Sequence, residues 1–243
     1  MKKLGALFLG DIKNIRRDPM LLLALCAPLL LAAACKWGIP VLTEILWREL
    51  SFDLAPHYVF IMSFIMLLPP FMLGIMAGLI ILDDRDDNLL VYFAVTPLST
   101  SGYLIYRLLL PFLLGGVLAC FVIWFPDLIP FHSYKHIPIA LMAALEAPIM
   151  ALFMGAFSTN KVEGLALTKG AGFTLFLPFL PYVFAGQWWV AMTLCAPTVW
   201  VSRALLASFQ DSGDYWLSLV GGAALHILLI IVLLKLFQRR MAL

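Results

Sequence analysis

The acids and bases of this chain are few, and their placement limits the chemistry open to it. Asp83, Asp84, Arg85, Asp86 and Asp87 stand together in "LIILDDRDDNLLVYFAVTPLSTSGYLIYRLLL", residues 79–110. Four carboxylates and a guanidinium in a row can end an apolar helix, cap the next one, or meet basic groups on another protein. Glu146 and His226 differ: each stands alone inside an apolar run, where an ionisable side chain is expensive and functional by default. A carboxylate and an imidazole there can pair, line a polar path, or be satisfied by buried water. His132 and His136 are four apart and could share a helix face, but with His57 and His226 they make no defensible ligand set.

Other chemistry is missing. The chain has no GxxxxGK[ST] phosphate loop, no HExxH, no GxSxG and no CxxC. Cys26, Cys35, Cys120 and Cys195 are scattered and read as small apolar packing residues. The sequence offers no catalytic residue, no cofactor-binding residue and no metal site. Uphill work would have to draw on an ion gradient or on another subunit.

The elements that position these groups follow from composition. The chain has 243 residues, 63% hydrophobic and 12% charged, with a mean hydropathy of +1.01. A soluble domain carries about 25% charge, so most of this surface must face lipid. A net charge of +2 is too small to suggest nucleic acid. Lys2 and Lys3 precede only a short apolar run before Asp11, which does not read as a cleaved signal.

A membrane span needs about 20 mostly apolar residues. Runs of that kind predict spans at Met20–Trp37, Tyr58–Leu82, Leu104–Phe125, Ile137–Phe157, Ala171–Phe184 and Tyr215–Phe237. Gln187–Ser208 is long enough for a seventh, but Pro197 lies at its centre and Arg203 follows. With six spans and the amino terminus inside, twelve of the 16 lysines and arginines fall on the cytoplasmic side and four outside. That is a positive-inside bias, and a seventh span would move Lys235, Arg239 and Arg240 outside. Gln187–Ser208 is therefore read as a re-entrant pair of short helices dipping from the outer face. The expected fold is all-α: one polytopic bundle of six spans, residues 1–243, with both termini cytoplasmic.

Three smaller features complete it. Residues 4–18 have the pattern of a basic amphipathic helix lying in the inner interface, closed by Pro19. It serves as an anchor or as a contact for a cytoplasmic partner. Asp87 or Asn88 can cap a short helix, Leu89–Val95, that shows Leu89, Leu90, Tyr92 and Phe93 and stops at Thr96-Pro97. Such a helix suits a cleft on another protein. Phe157–Gly170 reads as a second cytoplasmic loop, and Pro69-Pro70, Pro178 and Pro181 should kink spans two and five.

The order of these pieces resembles the ABC-2-type transporter permeases. "DIKNIRRDPMLLLALCAPLLLA" is similar to that family's interfacial helix and first span, "DDRDDNLLVYFAVTPLSTSGYLIYR" to its first cytoplasmic loop, and "TNKVEGLALTK" to its loop after span four. Many members carry Glu followed by Gly-Thr where this chain has Asp83–Asp87. The resemblance implies a half-transporter. Two permeases, identical or paralogous, would sit in the lipid of a bacterial cytoplasmic membrane above ABC ATP-binding subunits that bind ATP and Mg. Leu89–Ala94 would be the coupling helix, with Asp83, Asp84, Asp86 and Asp87 shaping its entry and meeting basic partner side chains. Trp188, Trp189, Pro197, Trp200 and Arg203 would belong to an outer gate. The implied activity is export of a hydrophobic or amphipathic substrate. The alternative is a gradient-driven carrier or channel that uses Glu146 and His226.

Overall fold

A computed structural model describes residues 19–87, 99–210 and 213–241. All regular structure among them is helical. The elements are α1 (Pro19–Leu50), α2 (Tyr58–Asp86), α3 (Ser99–Trp124), α4 (Ser133–Ala144), α5 (Glu146–Phe157), α6 (Lys161–Ala171), α7 (Phe179–Val183), α8 (Pro197–Ser208) and α9 (Asp214–Met241), with short 3₁₀ turns at Ala55–His57, Gly172–Phe176 and Trp188–Cys195. The protein is a polytopic helical bundle. The segments expected as the interfacial helix, 4–18, and the short helix, 89–95, lie outside the described residues.

Five stretches are long and apolar enough to cross a membrane, and the bent pair Trp188–Cys195 and Pro197–Ser208 would make a sixth by length and composition. α2 is the central one, with 78% of its apolar window buried inside the bundle, against 11% for α1 and 22% for α9. The outer helices instead present Leu29, Leu30, Ile45, Ile227 and Leu228 outward, as side chains meeting lipid do. Lipid tails are as apolar as leucine, so association relies on close packing and small residues. A Cβ on Gly74 would stand 2.6 Å from the backbone oxygen of Ala147. Only glycine lets α2 and α5 approach so closely.

Several helices differ from the sequence expectations, each for a local reason. α1 runs past Trp37 to Leu50 because Lys36 does not stop it: its ammonium sits 4.4 Å from the Phe125 ring centroid. α2 continues through Asp86, because Asp83, Asp84 and Arg85 all find partners. The fourth span is two helices broken at Leu145. Pro148 has no N–H to give the carbonyl of Ala144, so the ladder fails there. The loop read at Phe157–Gly170 is largely α6, capped by Asn160 Oδ1, which accepts from the amide of Glu163 at 3.0 Å.

Contacts at the two ends give the path. Lys161 meets Asp83, and Arg240 meets Ala156, at one end. At the other, His57 meets Tyr182 and His136 meets Ser208. Between Lys161 and Tyr182 the chain therefore travels the length of α2, as α6, a 3₁₀ turn and α7 in place of one continuous helix at Ala171–Phe184. Pro178 and Pro181 account for the pieces. The carbonyl of Thr174, which Pro178 cannot use, accepts the Thr198 hydroxyl at 2.7 Å. The bent pair begins beside Tyr182 and ends at Ser208, so both flanks lie at the same end of the bundle. Its two arms are bent by 111°.

Candidate functional site

α5 and α9 position the central acid and base. The break at Leu145 makes Glu146 the first residue of α5, and His226 stands midway along α9. Their side chains are 5% and 0% exposed, with Glu146 Oε1 3.5 Å from His226 Nε2. His226 Nδ1 lies 2.7 Å from the carbonyl of Gly222. A carbonyl can only accept, so Nδ1 carries hydrogen and Nε2 is the variable atom. Neither Oε1 nor Nε2 has a hydrogen bond to another group among the described residues. A favourable contact requires either a protonated carboxyl facing a bare Nε2 or an imidazolium facing a carboxylate.

One turn before His226, Gly222 receives Trp200 of the bent pair. A Cβ there would be 2.7 Å from Trp200 Cβ and 2.6 Å from Met142 Sδ. The Trp200 indole donates to the carbonyl of Leu194 at 2.7 Å, locking the turn between the two arms. Pro197 opens the second arm at its first helical position, where its missing N–H is no loss. Arg203 stacks its guanidinium 5.6 Å from the Trp200 ring centroid. Trp188 points outward, 78% exposed, and Trp189 rests 5.5 Å from Phe184. The hairpin is fastened to the bundle by a buried Ser63–Ser202 hydrogen bond of 2.8 Å.

The other end carries the charge cluster. Arg107 Nη2 lies 2.8 Å from Asp84 Oδ2, with side chains 9% and 13% exposed, and the Tyr103 hydroxyl donates to the same carboxylate. Asp83 accepts from Lys161 at 2.8 Å. Arg85 donates to the carbonyls of Ser158 at 2.5 Å and Gly155 at 3.3 Å. Arg240 donates to Ala156 at 2.6 Å. These two guanidiniums satisfy the carbonyls that the end of α5 leaves open, where a cation is also favoured by the helix dipole. Asp83 and Asp84 are thus engaged within the chain, while Asp86 and Asp87 are exposed. Leu89, Leu90, Tyr92 and Phe93 lie outside the described residues.

The sequence reading missed the Arg107–Asp84–Tyr103 cluster. Its signal was Tyr103-x-x-x-Arg107, one helical turn apart at the edge of an apolar run. The capping roles of Arg85 and Arg240 had no local signal, since their acceptors are backbone carbonyls some 70 to 84 residues away.

Residues 11–234 match the family of fluoroquinolones export permease proteins described as Rv2686c-like. The chain belongs to that family. It is 30% identical over 248 residues to the fluoroquinolones export permease protein Rv2686c of Mycobacterium tuberculosis strain H37Rv, covering 99% of this chain and 96% of the relative. The protein MT2760 of strain CDC 1551 matches to the same extent. No solved structure matches. As an Rv2686c-like export permease, the chain is a multi-pass membrane transport protein, in keeping with its resemblance to ABC-2-type permeases.

Proposed function

We propose that this chain is the membrane half of an ATP-driven exporter in a bacterial cytoplasmic membrane, with both termini cytoplasmic. Separate ABC ATP-binding subunits hold ATP and Mg, and a second permease, identical or paralogous, completes the path. The substrate is hydrophobic or amphipathic, of the class named for its relatives, the fluoroquinolones. The observation that carries this reading is the match to an export permease over 99% of the chain.

Coupling falls to Leu89–Val95, which follows directly on α2. The Asp83–Lys161 and Asp84–Arg107 pairs would hold the base of that segment to α3 and α6. Asp86 and Asp87 would then meet basic groups of the ATPase. Movement of the segment would travel through α2, the most buried of the candidate spans, to the hairpin through the Ser63–Ser202 bond. Leu90→Arg combined with Phe93→Asp should abolish co-purification with the ATPase and its stimulated turnover. Unchanged co-purification and turnover would exclude this coupling role.

A second reading has its own observation, the Glu146–His226 contact at 3.5 Å. A buried pair that holds one proton could couple transport to a proton gradient. Transport in ATP-depleted vesicles under an imposed gradient, abolished by Glu146→Gln, would favour it. Under the ATP-driven reading the same substitution leaves ATP-dependent transport in place and alters only its substrate range.

A further inference from the structure

The surface from Lys169 to Phe179 is unsuited to lipid, yet it lies at membrane depth. α6 starts at Lys161, whose ammonium is 2.8 Å from Asp83 at one end of the bundle. Lys169 therefore stands about 12 Å, and Gly172 about 16 Å, along the axis, within a hydrocarbon core of about 30 Å. Contacts with α2 follow the same course. A Cβ on Gly164 would meet Leu82, while the Phe176 ring lies 5.4 Å from Phe64 and the Phe179 ring 4.7 Å from Phe60. The backbone here is a 3₁₀ turn, Gly172–Phe176, between two helices. Lys169 is exposed in the last turn of α6, and a Cβ on Gly170 or Gly172 would have nothing within 4 Å. A lysine can snorkel to the nearer interface, but a bare, broken backbone cannot. At that depth it is tolerated only against protein or a water-filled cavity.

We infer that this face is where a second copy of the same chain docks, across a two-fold axis along the membrane normal. Side chains three apart eclipse in a 3₁₀ turn, so Phe173 and Phe176 stand in one row. Phe179 continues it, its ring 6.4 Å from that of Phe176. The three rings are 73%, 55% and 42% exposed. Gly170, one turn before Phe173, leaves a hollow beside this ridge. A ridge and a hollow on one surface are what a self-complementary contact needs, because each copy's Phe173 can fill the other's hollow. At about 200 Å² per ring, the aromatic side chains from Phe173 to Trp188 leave about 600 Å² bare. One partner gives about 800 Å² to a standard interface, so this stretch supplies most of it. Lys169 marks where the contact ends. Its ammonium favours water, and a watery space at membrane depth needs two walls, of which one copy supplies one.

This rests on the reading that a second permease completes the path, and it commits to an identical one. The experiment starts from the full-length chain with Cys26, Cys35, Cys120 and Cys195 changed to alanine and no second permease present. Phe173→Cys should form a covalent dimer when membranes are oxidised with copper phenanthroline. Leu30→Cys and Val117→Cys, 64% and 66% exposed on α1 and α3, should stay monomeric. In the otherwise natural chain, Gly170→Trp fits the free protein, because open space surrounds that position. It should raise the dimer dissociation constant by about tenfold to a hundredfold. Energy transfer between donor- and acceptor-labelled chains in liposomes at graded protein-to-lipid ratios reads that change. An unchanged dissociation constant in Gly170→Trp, or equal crosslinking at all three cysteines, overturns the proposal. So does a Phe173→Cys chain that crosslinks only to a co-expressed, different permease. ATP-dependent export by a chain that fails to self-associate would sink this interface and leave the export reading standing. Self-association with export that ignores ATP would do the reverse.

Discussion

Glu146 and His226 face each other at 3.5 Å from two different helices, each offering the other an atom that nothing else satisfies. The relationship depends on a helix break. Pro148 interrupts the fourth span at Leu145, and the acid sits at the first position after it. Trp200 at the tip of the re-entrant hairpin packs on Gly222, whose carbonyl fixes the His226 ring. The bent hairpin and the central pair are therefore in mechanical contact through a single turn of α9.

Glu146→Leu and His226→Leu should each destabilise the protein by about 1–3 kcal/mol, because each removes the polar group that faces its partner's buried atom at 3.5 Å. The double substitution should cost less than the sum. A coupling of at least about 0.5 kcal/mol in a double-mutant cycle, read from unfolding in detergent, is expected for groups in contact. Simple additivity would mean that the two side chains do not communicate.

Arg107→Met should lower stability by about 3–5 kcal/mol, the usual result of removing one member of a buried ion pair. Asp84 would be left among Tyr103 and apolar neighbours with its charge uncompensated. Asp84→Asn keeps an oxygen facing Tyr103 and Arg107 and should cost less. Thermal unfolding of the two variants in the same detergent gives the order.

Gly74→Ala and Gly38→Ala should differ in sign. At Gly74 the new methyl meets a backbone carbonyl, which cannot swing aside, so α2 and α5 must separate at a cost of about 1–3 kcal/mol. At Gly38 nothing lies within 4 Å, and alanine should stabilise α1 by up to about 1 kcal/mol. Equal melting temperatures for the two variants would contradict the close α2–α5 packing.

Glu163 titrates below the ordinary carboxylate value because the Thr159 hydroxyl and amide both donate to it. A depressed folded value means that its contribution to the start of α6 is fully present above the unfolded value, near 4.5. It is lost as pH falls through the lower folded value. Amide exchange at Thr159–Glu163 should therefore lose protection on acidification in the wild type. In Glu163→Gln, which cannot ionise, this acid-dependent loss should disappear.

The fold class was open to sequence reasoning because it rests on quantities that a chain carries without folding. Too little charge to cover a wetted surface, and apolar runs of the right length, are enough to require a membrane bundle. The break in Gln187–Ser208, which the structure bends by 111°, was legible for a related reason. Pro197 and Arg203 spoil Gln187–Ser208 as a straight span. Glu146 and His226 stood out because an ionisable group in an apolar run is conspicuous by contrast alone.

Partnership was decided by the tertiary structure. Asp83 and Asp84 looked in sequence like acids offered to another protein, yet Lys161 and Arg107 take them up inside the bundle. Arg85 and Arg240 looked like topology markers and turn out to close a helix end. Hydrophobicity and charge are properties of the single residue and can be read along a line. Which donor meets which acceptor depends on helices brought within a few ångströms across 70 residues or more of chain, and no local pattern encodes that.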